Sequence, residues 1–236
     1  MAIEATPERT NMFRDIKACI FDAYGTLFDT HAPVSRIAAE LGENADDISQ
    51  LWRNKQLQYT WLRSLMKSHV DFWQITGDAL HYALKTYNIE PEPFHDRLMQ
   101  LYLNLDAYPD ARETLTNLKG LGLQTGILSN GSKSMLTAAI GSAGLGQILD
   151  HTLSVDEVNV YKPDPRVYQM VPDQLHIRPE QVCFISSNAW DVAGAAHFGF
   201  QVAHINRFSQ PPEQLPGTPK VILTTLSDLP PLLKTS

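Results

Sequence analysis

Short apolar runs alternate along the chain with longer stretches in which apolar residues recur at helical spacing. The runs lie at 17–22, 123–129, 181–186, 201–205 and 220–223. Strands separated by helices in this way predict an α/β fold: a Rossmann-like, mostly parallel sheet covered on both faces. Ligands of such sheets bind beyond the carboxyl ends of the strands, so the residues that follow each run are the first place to look for chemistry.

One interval is too long. Roughly a hundred residues separate Asp22 from Leu123 without a convincing strand, whereas a strand–helix–strand unit needs only a few tens. The excess is helical in pattern. Ile48, Leu51, Trp52, Tyr59, Leu62, Leu65 and Met66 recur on one face, and Phe72, Ile75, Leu80 and Leu84 continue the spacing. Pro91 and Pro93 interrupt it before a further segment, 94–105, and Pro109 is placed to start the next helix, which belongs to the main domain. Residues 30–107 therefore read as a helical cap inserted after the first strand, with 1–29 and 108–236 forming the core domain. The proline-rich stretch 210–219 reads as a loop before the last strand.

Composition narrows the function. The 236 residues are 43% hydrophobic and 19% charged, a globular mixture. The net charge of −7 argues against a general nucleic-acid binder and against attachment to an anionic membrane. It leaves an anionic substrate open, because a site can be locally positive on an acidic protein. No run approaches the ~18 apolar residues of a membrane span. Residues 1–15 lack the basic-then-apolar order of a signal peptide, and the expected location is the cytoplasm. Cys19 and Cys183 each sit in an apolar run and read as buried thiols. None of the eight histidines has a metal-binding spacing.

The strand ends are unusually polar. The first run leads into Asp22-Ala23-Tyr24-Gly25-Thr26-Leu27, which puts a carboxylate in the crevice beside a glycine that allows a sharp turn. Alone, this string also fits a turn with an Asx cap. The second run ends Leu128-Ser129-Asn130-Gly131, an anion seat ahead of a helix, or simply a helix cap. Tyr161-Lys162-Pro163-Asp164-Pro165 fixes a lysine between rigid prolines, and a further run ends Ser186-Ser187-Asn188-Ala189-Trp190-Asp191. So many polar side chains at one strand end exceed what a single helix cap requires.

Carboxylate, hydroxyl and amide, lysine, carboxylate: this order resembles the haloacid dehalogenase superfamily, whose helical cap also follows the first motif. The resemblance spans 17–233. Phosphatases of that superfamily carry a second aspartate where Tyr24 stands, and a phenol with a pKa of about 10 is a poor acid–base group near neutrality. They also hold Mg²⁺ with acids of the last motif. The first of those acids is replaced here by Ser187, leaving Asp191. The motifs instead look like those of type II (S)-2-haloacid dehalogenases, as does the cap string Leu51-Trp52-Arg53-Asn54-Lys55-Gln56-Leu57-Gln58-Tyr59-Thr60-Trp61-Leu62. A phosphatase or phosphonatase, or a silent ligand-binding relative, stands as the alternative.

The resemblance implies a small 2-haloacid substrate, no metal and no cofactor. Asp22 would attack C2 and expel halide, giving an aspartyl ester that water hydrolyses, with inversion at C2. Arg53 would accept the halide, assisted by Asn130. Ser129 and nearby backbone N–H groups would hold the substrate carboxylate. Lys162 would stabilise the nucleophile and position Asp191, and Asn188 and Asp191 would orient the hydrolytic water. Thr26, Tyr168 and Ser186 match supporting positions. Ala23 would lie against the substrate, and Tyr24, Leu57, Phe72 and Trp190 would wall the substituent at C2. Asn54 departs from the glutamine often found beside the halide arginine, which leaves substrate range open. The family also implies a homodimer, for which exposed cap aromatics such as Trp61 or Trp73 would be suited.

Overall fold

A computed structural model describes residues 12–233. Residues 1–11 and 234–236, which include most of the N-terminal stretch read above and the outer limits of the core segments, lie outside the described residues. The first element among the described residues is β1 (Ala18–Phe21). Five helices follow: α1 (Ala32–Ser35), α2 (Ala38–Leu41), α3 (Ala45–Leu65), α4 (Phe72–Thr86) and α5 (Pro91–Leu103). Then come α6 (Ala111–Gly120), β2 (Gln124–Ser129), α7 (Lys133–Ser142), β3 (His151–Ser154) and α8 (Pro165–Leu175). The chain continues through β4 (Val182–Ser186), α9 (Ala189–Phe198), β5 (Gln201–Ile205) and β6 (Val221–Leu223).

The six strands form one sheet in the order β3-β2-β1-β4-β5-β6, and every pairing is parallel. The order reverses at β1, which lies between β2 and β4. This is where a parallel sheet opens a crevice at its carboxyl edge. Asp22 extends the ladder by one residue, its N–H donating to the Ile185 carbonyl at 2.8 Å, so the rigid sheet aims that carboxylate. β1 and β4 are buried along their whole length, as strands covered on both faces must be. Cys19 and Cys183 are register partners in them and are free, buried thiols.

Five strands fall where the apolar runs predicted them. β3 was not anticipated: it has four residues, only the last two of them buried, so it carries no apolar run to read. The helices between β1 and α6 fill the long interval, α3 packing along α4 and α4 against α5. The α3 stripe divides, however. Ile48 and Trp52 are buried, whereas Leu62, Leu65 and Met66 are exposed, Leu65 by 80%. The expectation of exposed Trp61 and Trp73 is corrected. Both are half-buried, Trp73 packing against the core and Trp61 lying edge-on to Trp190 at 5.5 Å. No helix among the described residues is long and apolar enough to cross a membrane.

Candidate active site

The carboxyl ends of β1, β2 and β4 converge on Asp22, and its two oxygens are treated differently. Oδ2 accepts from Asn188 Nδ2 at 2.7 Å, Thr26 Oγ1 at 3.2 Å and Ser186 Oγ at 3.4 Å. Oδ1 accepts from Lys162 Nζ alone, at 3.1 Å. Oδ1 is therefore the oxygen with free lone-pair capacity. The donors are themselves anchored: Thr26 Oγ1 accepts from the Ser187 N–H at 2.8 Å, and Ser186 Oγ from the Asn188 N–H at 3.1 Å.

Lys162 is 1% exposed and lies between two carboxylates, with Asp191 Oδ2 at 2.9 Å. Burial works against its charge, but Asp191 and Asp22 outweigh that and hold its pKa above the ordinary lysine value. Asp191 is fully buried, and burial pushes its pKa up to about 6 against the pull of Lys162. Its second oxygen accepts from Tyr168 OH at 2.7 Å. The Lys162 backbone N–H donates to Asn130 Oδ1 at 3.0 Å, which ties the β2 end to the lysine loop.

Arg53 enters from α3. Its Nη2 donates to the Tyr24 carbonyl at 3.2 Å and to Asn188 Oδ1 at 3.3 Å. Asn188 thus bridges the arginine and Asp22. It occupies the N-cap position of α9 yet makes no side-chain cap, because its amide is used across the site. Arg53, Asn54, Leu57, Asn188 and Trp190 line one cavity of about 620 Å³.

The other predicted residues are placed differently. Tyr24 and Phe72 do not line that cavity. They are buried in an aromatic cluster, the Tyr24 ring 5.8 Å from Phe72 and stacked at 5.6 Å on Tyr102. Burial raises the Tyr24 phenol well above its ordinary pKa and its hydroxyl has no partner, so it does no acid–base work near neutrality. A Cβ on Gly131 would meet the Tyr24 ring at 2.5 Å, so that loop residue has to be glycine. Ser129 is fully buried and accepts from the Gly131 N–H at 3.0 Å. The helix after it is capped by Ser132 instead, so Ser129 is not a cap. Ala23 is buried, and its carbonyl takes the N–H groups of Thr26, Leu27 and Phe28.

Two groups escaped the sequence reading. Gln56 Oε1 accepts from Arg53 Nη1 at 2.7 Å, and Gln56 is buried. Its position three residues after Arg53, on the same helix face, was the available signal. Arg207 also lines the cavity, but it is paired with Asp110 at 2.8 Å. Nothing in its sequence neighbourhood announced it.

The arrangement offers a carboxylate with one oxygen held by three donors and the other by Lys162, a buried lysine, a second carboxylate of raised pKa, and a guanidinium that lines a cavity. A sequence profile of haloacid dehalogenase-like hydrolases matches residues 16–199. The chain is 50% identical over 223 residues to (S)-2-haloacid dehalogenase 4A of Burkholderia cepacia, covering 94% of this chain and 96% of that one. It superposes on a crystal structure of a dehalogenase with an intermediate complex at a TM-score of 0.92, with 49% identity, covering 94% of this chain and 99% of that one. The L-2-haloacid dehalogenase from Xanthobacter autotrophicus with chloropropionic acid covalently bound matches at a TM-score of 0.87 and 39% identity, over 92% of this chain and 98% of that one.

Proposed function

This chain belongs to the haloacid dehalogenase-like hydrolases and, within them, to the (S)-2-haloacid dehalogenases, and from that premise we propose how its residues divide the work. The enzyme hydrolyses the carbon–halogen bond of (S)-2-haloacids to give (R)-2-hydroxyacids. Asp22 is the nucleophile, and the reading rests on one observation: Oδ2 is held by three donors while Oδ1 faces only Lys162. Oδ1 forms a bond to C2 as the carbon–halogen bond breaks from the opposite side, its electron pair leaving with the halide. Water then adds to the aspartyl carbonyl carbon and passes its proton to Asp191. The ester C–O bond breaks, the hydroxyacid oxygen takes up a proton, and the Asp22 carboxylate is restored.

Arg53 receives the departing halide, with Asn130 assisting. A guanidinium stays charged at any working pH and presents several donors. Ser129 has its acceptor side satisfied by Gly131, so its hydroxyl proton is free to meet the substrate carboxylate. Lys162 donates to both Asp22 and Asp191, and Asn188 and Asp191 orient the water. Thr26, Ser186 and Tyr168 support the two carboxylates. Leu57 and Trp190 border the C2 substituent, and Tyr24 and Phe72 back that wall from the aromatic cluster. Ala23 supplies the turn beside the substrate. Asn54 sits in the cavity wall and sets room near the halogen.

Residues 30–107 act as the cap and the rest as the core. The cation between the two site carboxylates is the Lys162 ammonium, which suits metal-free turnover. A homodimer is assigned to the exposed apolar end of α3, at Leu62, Leu65 and Met66. The two free, buried thiols suit the cytoplasm. Halide release from (S)-2-chloropropionate, run beside phosphate release from a generic ester with and without EDTA, tests the function. Halide release unaffected by EDTA is expected. EDTA-sensitive phosphate release without halide release would contradict it.

A further inference from the structure

Arg53 is gripped from behind by an amide that nothing in the reaction scheme above uses. Gln56 is 1% exposed, an unusual place for a glutamine. Its Nε2 donates to Thr76 Oγ1 at 2.8 Å and to Tyr102 OH at 3.2 Å. The Thr76 hydroxyl donates its one proton to the Phe72 carbonyl at 2.6 Å, so toward Gln56 it can only accept. That fixes the amide orientation: NH₂ toward Thr76, oxygen toward Arg53 Nη1. A flipped amide would set acceptor against acceptor at Thr76 and donor against donor at Arg53. Thr76 is itself held in the α3–α4 contact, its carbonyl accepting from Trp52 Nε1 at 2.8 Å.

The choice of an amide has a consequence for charge. Arg53 makes no ion pair among the described residues. Its guanidinium donates to the Gln56 amide oxygen, the Tyr24 carbonyl and the Asn188 amide oxygen, all neutral. A neutral acceptor fixes the plane of a guanidinium while leaving its charge intact, whereas a carboxylate in the same place would neutralise it.

We propose that Gln56 is a positioning residue that holds the Arg53 guanidinium in one plane over the cavity, through the Thr76–Phe72 relay, without quenching the charge the departing halide needs. The inference rests on the assignment of Arg53 as the halide acceptor.

The test is single-turnover halide release from (S)-2-chloropropionate and (S)-2-bromopropionate in Gln56→Glu, Thr76→Val and Arg53→Lys. Chloride is the poorer leaving group and leans harder on Arg53. Gln56→Glu should slow chloride release by ~100-fold, the scale of a misplaced or weakened catalytic contact. It should slow bromide release less, so that the bromide-to-chloride rate ratio rises. Thr76→Val frees the amide to rotate and should move the ratio the same way by a smaller factor. This second variant keeps the test decisive if the first folds poorly. A packing role alone would slow both halides equally. An equal loss in Gln56→Glu and Thr76→Val, beside a raised ratio in Arg53→Lys, would overturn the role of Gln56 and leave the halide assignment standing. No change of ratio in any of the three would overturn both.

Discussion

The two sides of the site handle charge in opposite ways. On the core side, Lys162 lies between Asp22 and Asp191 at 3.1 and 2.9 Å, and all three are buried. On the α3 side, Arg53 is half-buried and, among the described residues, donates only to neutral acceptors. The core cation is fully engaged in holding two like charges together. The α3 cation has its charge uncommitted, which is what the proposed halide role requires. In the proposed scheme stability and leaving-group assistance fall to different residues, and removing either cation should reveal which job it does.

The largest effect is expected for Lys162→Met. Two carboxylates lose the ammonium between them, and breaking a buried pair by removing one partner costs about 3–5 kcal/mol. Chemical denaturation at pH 8 should show that loss. The Asp191 carboxyl is already raised to about 6 by burial, and without the lysine it should rise further. The protonated form is then favoured in the folded state, so the deficit should shrink as pH falls toward 5. An equal deficit for Arg53→Met would erase the contrast between the two sides.

Arg53→Lys should leave the denaturation midpoint almost unchanged while chloride turnover drops by ~100-fold, the scale of one lost stabilising donor. Lysine keeps the charge but lacks the planar fork. Turnover near that of the parent enzyme would move the halide elsewhere.

A smaller effect separates the two chemical steps. In the proposed scheme Asp191 has to be a carboxylate to accept a proton from water, and its pKa is raised, so protonation should disable it from about pH 6 downward. Ester hydrolysis should therefore slow about tenfold per pH unit below that value, while the first burst of halide release persists. Rapid-quench measurement of halide and hydroxyacid across pH 5–8 reads both. Equal slowing of burst and steady state would remove Asp191 from the second step.

How much of this was legible differs along the chain. Asp22, Ser186 and Lys162 stood out because strand ends and proline-flanked loops are where polar side chains need explaining. The fold was equally readable from its apolar runs, except at β3, whose four residues contain too little buried surface to mark a run. The helices between β1 and α6 resisted reading because helical spacing reports a face but not its partner. Leu62 and Leu65 carry the same signal as Ile48, yet only Ile48 is covered. Trp61, expected at the surface, meets Trp190 from a helix more than a hundred residues away, and no local pattern encodes that contact. Gln56 was invisible for a related reason: its partners Thr76 and Tyr102 come from two other helices. The Asn188 amide could be read only as an N-cap or as part of a site, and its hydrogen bonds to Asp22 and Arg53 decide for the site.

The central claim, that Asp22 attacks carbon itself, is tested most directly by one turnover in ¹⁸O water with enzyme in excess of (S)-2-chloropropionate. Covalent attack delivers an oxygen of Asp22 to the product, and water replaces it on the aspartyl carboxylate. The lactate should emerge unlabelled, and the peptide containing Asp22 should carry ¹⁸O. Labelled lactate beside an unlabelled Asp22 peptide would mean that water attacks C2 directly, and would contradict the account.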